Sequence, residues 1–171
     1  MINFELGGVV IPDMAGFNLQ QRYSPVDGGS AVLRSMNGTA VKMTHWEKTR
    51  IVTSATGWIP PALQMLDYAS AMTMKCIAPM HAQSASNVIT ISADRRIDTG
   101  ADPFGMALVG DDWVDTAVSM SVDEATLTTV TGATLYRVGW YPQFTVYAAR
   151  PQDNSDLGGP SYSWTLEAEQ A

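Results

Sequence analysis

The chain has 171 residues, of which 46% are hydrophobic and only 16% charged, with 17 Asp and Glu against 10 Lys and Arg. Such a length and apolar fraction exclude a disordered chain and suffice for one domain, 1–171, with a sizeable core. A net charge of −7, with no basic run longer than Arg95-Arg96, disfavours sequence-specific nucleic-acid binding, which needs a cationic footprint.

The single cysteine, Cys76, has no partner for an internal disulfide, and this points to a reducing compartment of synthesis. The opening "MINFELGGVV" has neither a positive n-region nor a long apolar stretch, so no signal peptide is expected. No apolar run approaches the ~20 residues of a membrane-spanning helix. A protein made in the cytoplasm, without a membrane segment, is expected.

In chain order, alternation of period two dominates. Ile2, Phe4 and Leu6 start the first strand, and Gly7-Gly8 marks a tight hairpin. Phe17, Leu19, Gln21 and Tyr23 trace another strand. "VDGGS" (26–30) lies between strands, without the following helix that a phosphate-binding loop needs. "AVLRSM" and "TAVKM" flank Asn37-Gly38, a strong hairpin signal. Pro60-Pro61 ends the strand "TRIVTSATGW", and at most one short helix is expected near 60–67. Met72, Met74, Cys76 and Ala78 share one face of a strand; Ile89-Ile91, Val118-Met120-Val122 and Tyr136-Val138-Trp140 are shorter examples. Asp123-Glu124 reads as a turn. Phe144, Val146 and Ala148 point inward, as do Tyr162, Trp164, Leu166 and Ala168 of "SYSWTLEAE". Two longer loops run from Ser92 to Gly105 and from Arg150 to Pro160, the second as the tip of an extended hairpin. Many short strands with hardly any helix give an all-β fold, a sandwich or partly closed barrel.

Few residues suggest chemistry. Asp98-Thr99-Gly100-Ala101 spells the signature of retroviral-type aspartic proteases, which need two carboxylates sharing a proton. Here the approach is charged, with Arg95-Arg96 expected to hold Asp98 ionised, and Pro103-Phe104-Gly105 follows in place of an apolar strand. An Asp/Gly turn in a surface loop is the expected role. His45 and His81 lack the spacing of metal ligands, and Cys76 reads as a core thiol. Asp111-Asp112 and Asp123-Glu124 are expected to cap turns, and Asn37-Gly38-Thr39 matches a glycosylation sequon on a hairpin turn. Trp140 and Trp164 fall at inward positions. Trp46, Trp58 and Trp113 lie near strand ends, where they can pack or make contacts. No catalytic, cofactor or metal residue is assigned, and no enzyme is expected.

Phe17, Gln20 or Gln21, Tyr23, Pro25, Leu33, Arg34, Met36, Gly38, Thr39, Ala40, Lys42, Trp46, Arg50, Gly57, Trp58, Pro60 and Pro61, with the C-terminal "YPQFTVYAARP" and "YSWTLEAEQ", form a pattern of packing and turn residues. In that pattern the chain resembles small tail-tip or distal-tail structural proteins of long-tailed, siphovirus-like bacteriophages. The charged "THWEKTR" departs from it, and that edge is expected to face water. The resemblance implies a β-sandwich component of the tail tip or tube end. It also implies a ring or trimer of copies around the tail axis, contacts with other tail proteins, and a place in the virion. An acidic lining would let DNA slide past. The low charge density suits protein–protein contacts. The alternative is another virion β-sandwich, such as a capsid decoration protein or a carbohydrate-binding receptor module.

Overall fold

A computed structural model of the chain describes residues 2–156 and 161–171. The fold is all-β, built from several antiparallel sheets with no closed barrel, as the alternation in the sequence requires. Among the described residues the only helical turn is a 3-10 turn at Asp13–Ala15. The segment 60–67 forms turns instead, because Ala62, directly after Pro60-Pro61, takes a left-handed φ of 59° that no helix continues through.

The chain divides into two compact units. The first, Glu5–Met74 with Thr145–Ala171, begins with β1 (Glu5–Leu6), β2 (Val9–Val10), β3 (Gln20–Pro25), β4 (Ser30–Arg34), β5 (Ala40–Thr44), β6 (Thr49–Gly57) and β7 (Met72–Lys75). The second, Lys75–Phe144 with the residues up to Phe4, holds β8 (Met80–Ser84), β9 (Val88–Thr90), β10 (Phe104–Val109), β11 (Asp112–Thr116), β12 (Val118–Ser121), β13 (Glu124–Leu127) and β14 (Ala133–Trp140). The chain then returns to the first unit through β15 (Gln143–Ala148), β16 (Gln152–Asp156) and β17 (Ser161–Gln170).

In the first unit the sheet order is β2-β1-β7-β15-β17-β6-β3, with β16 beside β17. The Gly7-Gly8 hairpin forms as expected: Leu6 faces Val9, and both glycines adopt positive φ, 56° and 85°. The inward faces expected for "SYSWTLEAE" and "QFTVYAA" are the buried ones. Trp164, Leu166, Ala168, Phe144, Val146 and Ala148 are all buried, and Ile51, Thr53 and Ala55 of β6 join the first three across the β17–β6 register. Ile11, Pro61 and Leu63 from irregular segments and Ala15 of the 3-10 turn are buried as well. The indole N–H of Trp164 donates to the Ala15 carbonyl at 2.8 Å, so burial leaves no polar atom of that ring unpaired. Gly57 permits this arrangement, since a Cβ there would sit 2.4 Å from the Met14 carbonyl oxygen. The loop expected from Arg150 to Pro160 is in part a strand: Gln152–Asp156 forms β16 and pairs with β17, and the rest of that loop at 157–160 lies outside the described residues.

The second unit is itself two-layered. One sheet has the order β11-β10-β14-β8 and the other β12-β13-β9. Ala107, Tyr136, Val138 and Trp140 from the first pack with Ile89, Ala125 and Leu127 from the second. Gly105 lets the layers approach: a Cβ there would meet Val118 and Leu127 at 2.6 and 2.7 Å. Three strands of this unit, β8, β10 and β11, are not expected from the sequence. Asp111 lies in the Gly110-Asp111 turn between β10 and β11, and Asp112 begins β11 rather than capping the turn. The turn expected at Asp123-Glu124 sits one residue earlier, at Val122-Asp123, because Ser121 pairs with Glu124.

Candidate functional site

The residues with the clearest unmet physical demand are in the first unit. β3 pairs with β6 from Gln20–Ser54 to Pro25–Thr49, and β4 pairs with β5 from Ser30–Thr44 to Arg34–Ala40. Both pairings keep one register, so β3–β4 and β5–β6 make a single long two-stranded ribbon. It is interrupted at 26–29 and 45–48, where the Val26 N–H still bonds the Lys48 carbonyl at 2.9 Å and the His45 N–H bonds the Gly29 carbonyl at 2.8 Å. Beyond this interruption the ribbon leaves its sheet and projects as an arm.

The interruption depends on two glycines and one indole. Gly28 has a φ of 98°. At Gly29 a Cβ would fall 2.2 Å from the Trp46 carbonyl oxygen and 2.7 Å from its ring. Trp46 therefore lies against a backbone that only glycine can provide. The arm ends in the loop 35–39, where Gly38 has a φ of 83°, the Gly38 N–H bonds the Ser35 carbonyl at 2.8 Å, and the Ser35 N–H bonds the Thr39 carbonyl at 3.0 Å. Asn37 accepts from the Thr39 N–H at 3.2 Å and from the Ser35 hydroxyl.

Every residue of β4 and β5 is exposed. The register sorts them onto two faces. Ala31 with Met43 and Leu33 with Val41 make one face wholly apolar, while Ser30, Val32, Arg34, Ala40, Lys42 and Thr44 make up the other. Leu33 is 56% and Val41 54% exposed, and Met36 stands free in the loop. An isolated two-stranded hairpin is at best marginally stable in water. Complete burial of a Leu or Val is worth roughly 1.5–3 kcal/mol. This geometry therefore gains most from a surface that covers the apolar face.

No family model, curated protein or solved structure matches this chain.

The residues singled out for chemistry have other engagements. Arg96 is buried, 5% exposed, and holds Asp98 through two bonds, Nε to Oδ1 at 3.0 Å and Nη2 to Oδ2 at 2.6 Å. Its Nη1 donates to the carbonyls of Asn3 at 2.8 Å and Cys76 at 3.1 Å. The Arg96 hydrogen bond holds the Asp98 carboxyl below the usual carboxylate range, outweighing partial desolvation. The Ala101 N–H bonds the Asp98 carbonyl at 3.0 Å, and Gly100 has a φ of 88°. Asp98 thus sits in an Asp/Gly turn as an ionised partner of Arg96, an unsuitable state for a carboxyl that must share a proton. Arg95 binds the Asp123 carboxylate at 2.7 Å and also the Val122 carbonyl.

Cys76 is buried, with its N–H bonded to the Pro142 carbonyl at 3.0 Å. His45 lies in the interruption at the base of the arm, and His81 meets the Phe104 ring edge-on at 5.7 Å. Among the described residues, no three His, Cys, Asp or Glu side chains converge as a metal site requires. None forms a helix long and apolar enough to cross a membrane. Trp140 and Trp164 are in the two cores. Trp58 is exposed beside Phe17 at 4.9 Å, and Trp113 lies half-buried under the Arg137 guanidinium, 4.3 Å from its ring. Of the charged stretch 44–50, expected to face water, residues 44–47 are exposed, whereas 48–50 are half-buried and Arg50 bonds the Glu169 carboxylate across the β17–β6 pair.

The arm was visible in the sequence only as a hairpin around Asn37-Gly38. The alternation that marks Leu33, Val41 and Met43 looks the same whether a core covers them or water does.

Proposed function

We propose that this chain is a structural component of a bacteriophage tail, at the tail tip or tube end, which assembles around the tail axis through contacts with copies of itself and with other tail proteins. The single observation that supports this most strongly is the arm, a hairpin whose apolar face is left exposed by the described residues of its own chain. Assembly supplies that cover. Much of the pattern that carries the resemblance to tail-tip proteins, Leu33, Arg34, Met36, Gly38, Thr39, Ala40 and Lys42, lies on this arm. These residues are exposed, so packing inside the monomer does not account for them. Low charge density and net negative charge suit a subunit that touches neighbours and lets DNA pass.

The test is to label particles of the phage that encodes the chain with a gold-tagged antibody and view them in the electron microscope. Label at one end of the tail is expected. Label on the capsid, or particles without label, would overturn the reading.

A second reading, a carbohydrate-binding virion module, is favoured by the exposed Phe17–Trp58 pair, whose rings meet edge to face at an interplanar angle of 77°. Binding of surface polysaccharide that is lost in Trp58→Ala would support it. Equal binding by both proteins, or none, would remove it.

A further inference from the structure

We propose that Asn37 is a self-modification site, an amide that the loop at the tip of the arm converts to a carboxylate through attack by the Gly38 backbone nitrogen. This chemistry is independent of the assembly reading.

Asn37 is the one asparagine of the chain that precedes a glycine. Glycine carries no Cβ, so its nitrogen can approach the Asn37 side-chain carbon without a clash. Every residue from Ala31 to Ala40 is exposed, so water and hydroxide reach both groups. The loop also arranges donors around the amide. Asn37 Oδ1 accepts from the Thr39 N–H at 3.2 Å and from the Ser35 hydroxyl, for which it is a closer acceptor than the Thr39 carbonyl at 3.3 Å. Negative charge gathers on Oδ1 when the carbon is attacked, and donors already aimed at it stabilise that state. Arg34 Nη1 donates to the Gly38 carbonyl at 3.2 Å, which keeps a guanidinium near the nitrogen as it gives up its proton. One bond opposes the reaction. The Gly38 N–H is held by the Ser35 carbonyl at 2.8 Å and must be freed first. At the tip of an exposed two-stranded hairpin, such opening costs little.

The step balances with water as the one co-reactant. The Gly38 nitrogen loses its proton to a solvent base and bonds to Asn37 Cγ. The Cγ–Nδ2 bond breaks, and Nδ2 takes a proton from water and leaves as ammonia. The cyclic imide that remains adds water at either of its carbonyls. Cleavage of the new N–Cγ bond gives aspartate. Cleavage of the original peptide bond gives isoaspartate, whose main chain runs through Cβ and is one atom longer. Nothing is oxidised or reduced. Arg34 and Lys42 are the charged residues of 30–44, so either product halves the net positive charge of the arm.

The test is mass spectrometry of the purified full chain, native and unfolded in guanidinium, incubated side by side at neutral and mildly alkaline pH. Trypsin cuts after Arg34 and Lys42 and releases 35–42, in which Asn37 is the one side-chain amide. In the native chain a gain of one dalton should build up in that peptide, divided between two separable products. It should be faster at the higher pH, because the attacking nitrogen must lose a proton, and faster than at Asn3, Asn18, Asn87 or Asn154. Gly38→Ala should slow it severalfold in both states. Ser35→Ala should slow it severalfold in the native chain alone, because the unfolded chain has no loop to lose. A native chain that keeps its amide under these conditions would overturn the proposal. So would a Ser35→Ala variant that reacts as fast as the unsubstituted native chain.

Discussion

Leu33 and Val41 face each other across the ribbon of β4 and β5, and both stand more than half exposed. Neither contributes to the core of its unit. Replacing them with aspartate, L33D/V41D, should shift the melting temperature of the dilute monomer by no more than a surface substitution does, within about 0.5 kcal/mol. In the native protein, amides of β4 and β5 should exchange rapidly with solvent at high dilution and become protected as concentration rises. Hydrogen exchange followed by mass spectrometry measures both.

Gly29 and Trp46 set where the arm leaves its sheet. Gly29→Ala places a methyl against the Trp46 carbonyl, which is backbone and cannot swing away. The variant should keep its core, with near-native melting. It should lose the arm's fixed geometry, seen as altered fluorescence of Trp46 and reduced assembly. Gly38→Ala should have a milder effect, since a Cβ there meets nothing within 4 Å and only the positive φ opposes it.

Arg96 and Asp98 predict an acid sensitivity. The folded-state carboxyl of Asp98 titrates below its ordinary value because Arg96 bonds the charged form. Its contribution to stability is therefore complete above the ordinary carboxylate value of about 3.9 and is lost as pH falls through the lower, folded-state value. Asp98→Asn should destabilise the protein by about 1–2 kcal/mol at neutral pH, an amount discounted for the carboxylate's 36% side-chain exposure. The difference from the native protein should shrink at low pH. Arg96→Met removes the bonds to Asn3 and Cys76 as well and should cost more. Denaturant titrations at neutral and acid pH measure both.

Val122 and Arg95 hold a strained turn. Val122 has a φ of 53°, unfavourable for a β-branched residue, while Arg95 bonds its carbonyl and the neighbouring Asp123 carboxylate. Val122→Asn accepts the same backbone with less strain and should stabilise the fold by about 0.5–1 kcal/mol. Arg95→Ala should destabilise it. Thermal melting of the two variants gives opposite shifts.

The fold was legible where one face of a strand is buried and the other wet. Trp164, Leu166 and Ala168 alternate with polar neighbours, and the register follows directly. β10 and β11 were not legible: Phe104–Val109 is apolar on both faces, and Asp111-Asp112 suggested a turn with no strand after it. Phe17 looked like an inward strand position, yet it lies outside β3 and packs on Trp58 at the surface. In the 92–105 loop the sequence placed Asp98 beside arginines. It did not distinguish Arg96, which turns inward, from Arg95, which holds another turn, because that depends on carbonyls distant in the chain. The arm's exposure was hidden for a similar reason. Periodicity reports which residues share a face and not what lies over it.

The most direct test of self-assembly through the arm is the mass of the purified chain by sedimentation equilibrium over a wide concentration range, native against L33D/V41D. The native chain is expected to reach a defined multiple of its 18.4 kDa mass and the variant to remain a folded monomer. A native chain that stays monomeric, or a variant that assembles equally well, would contradict the account.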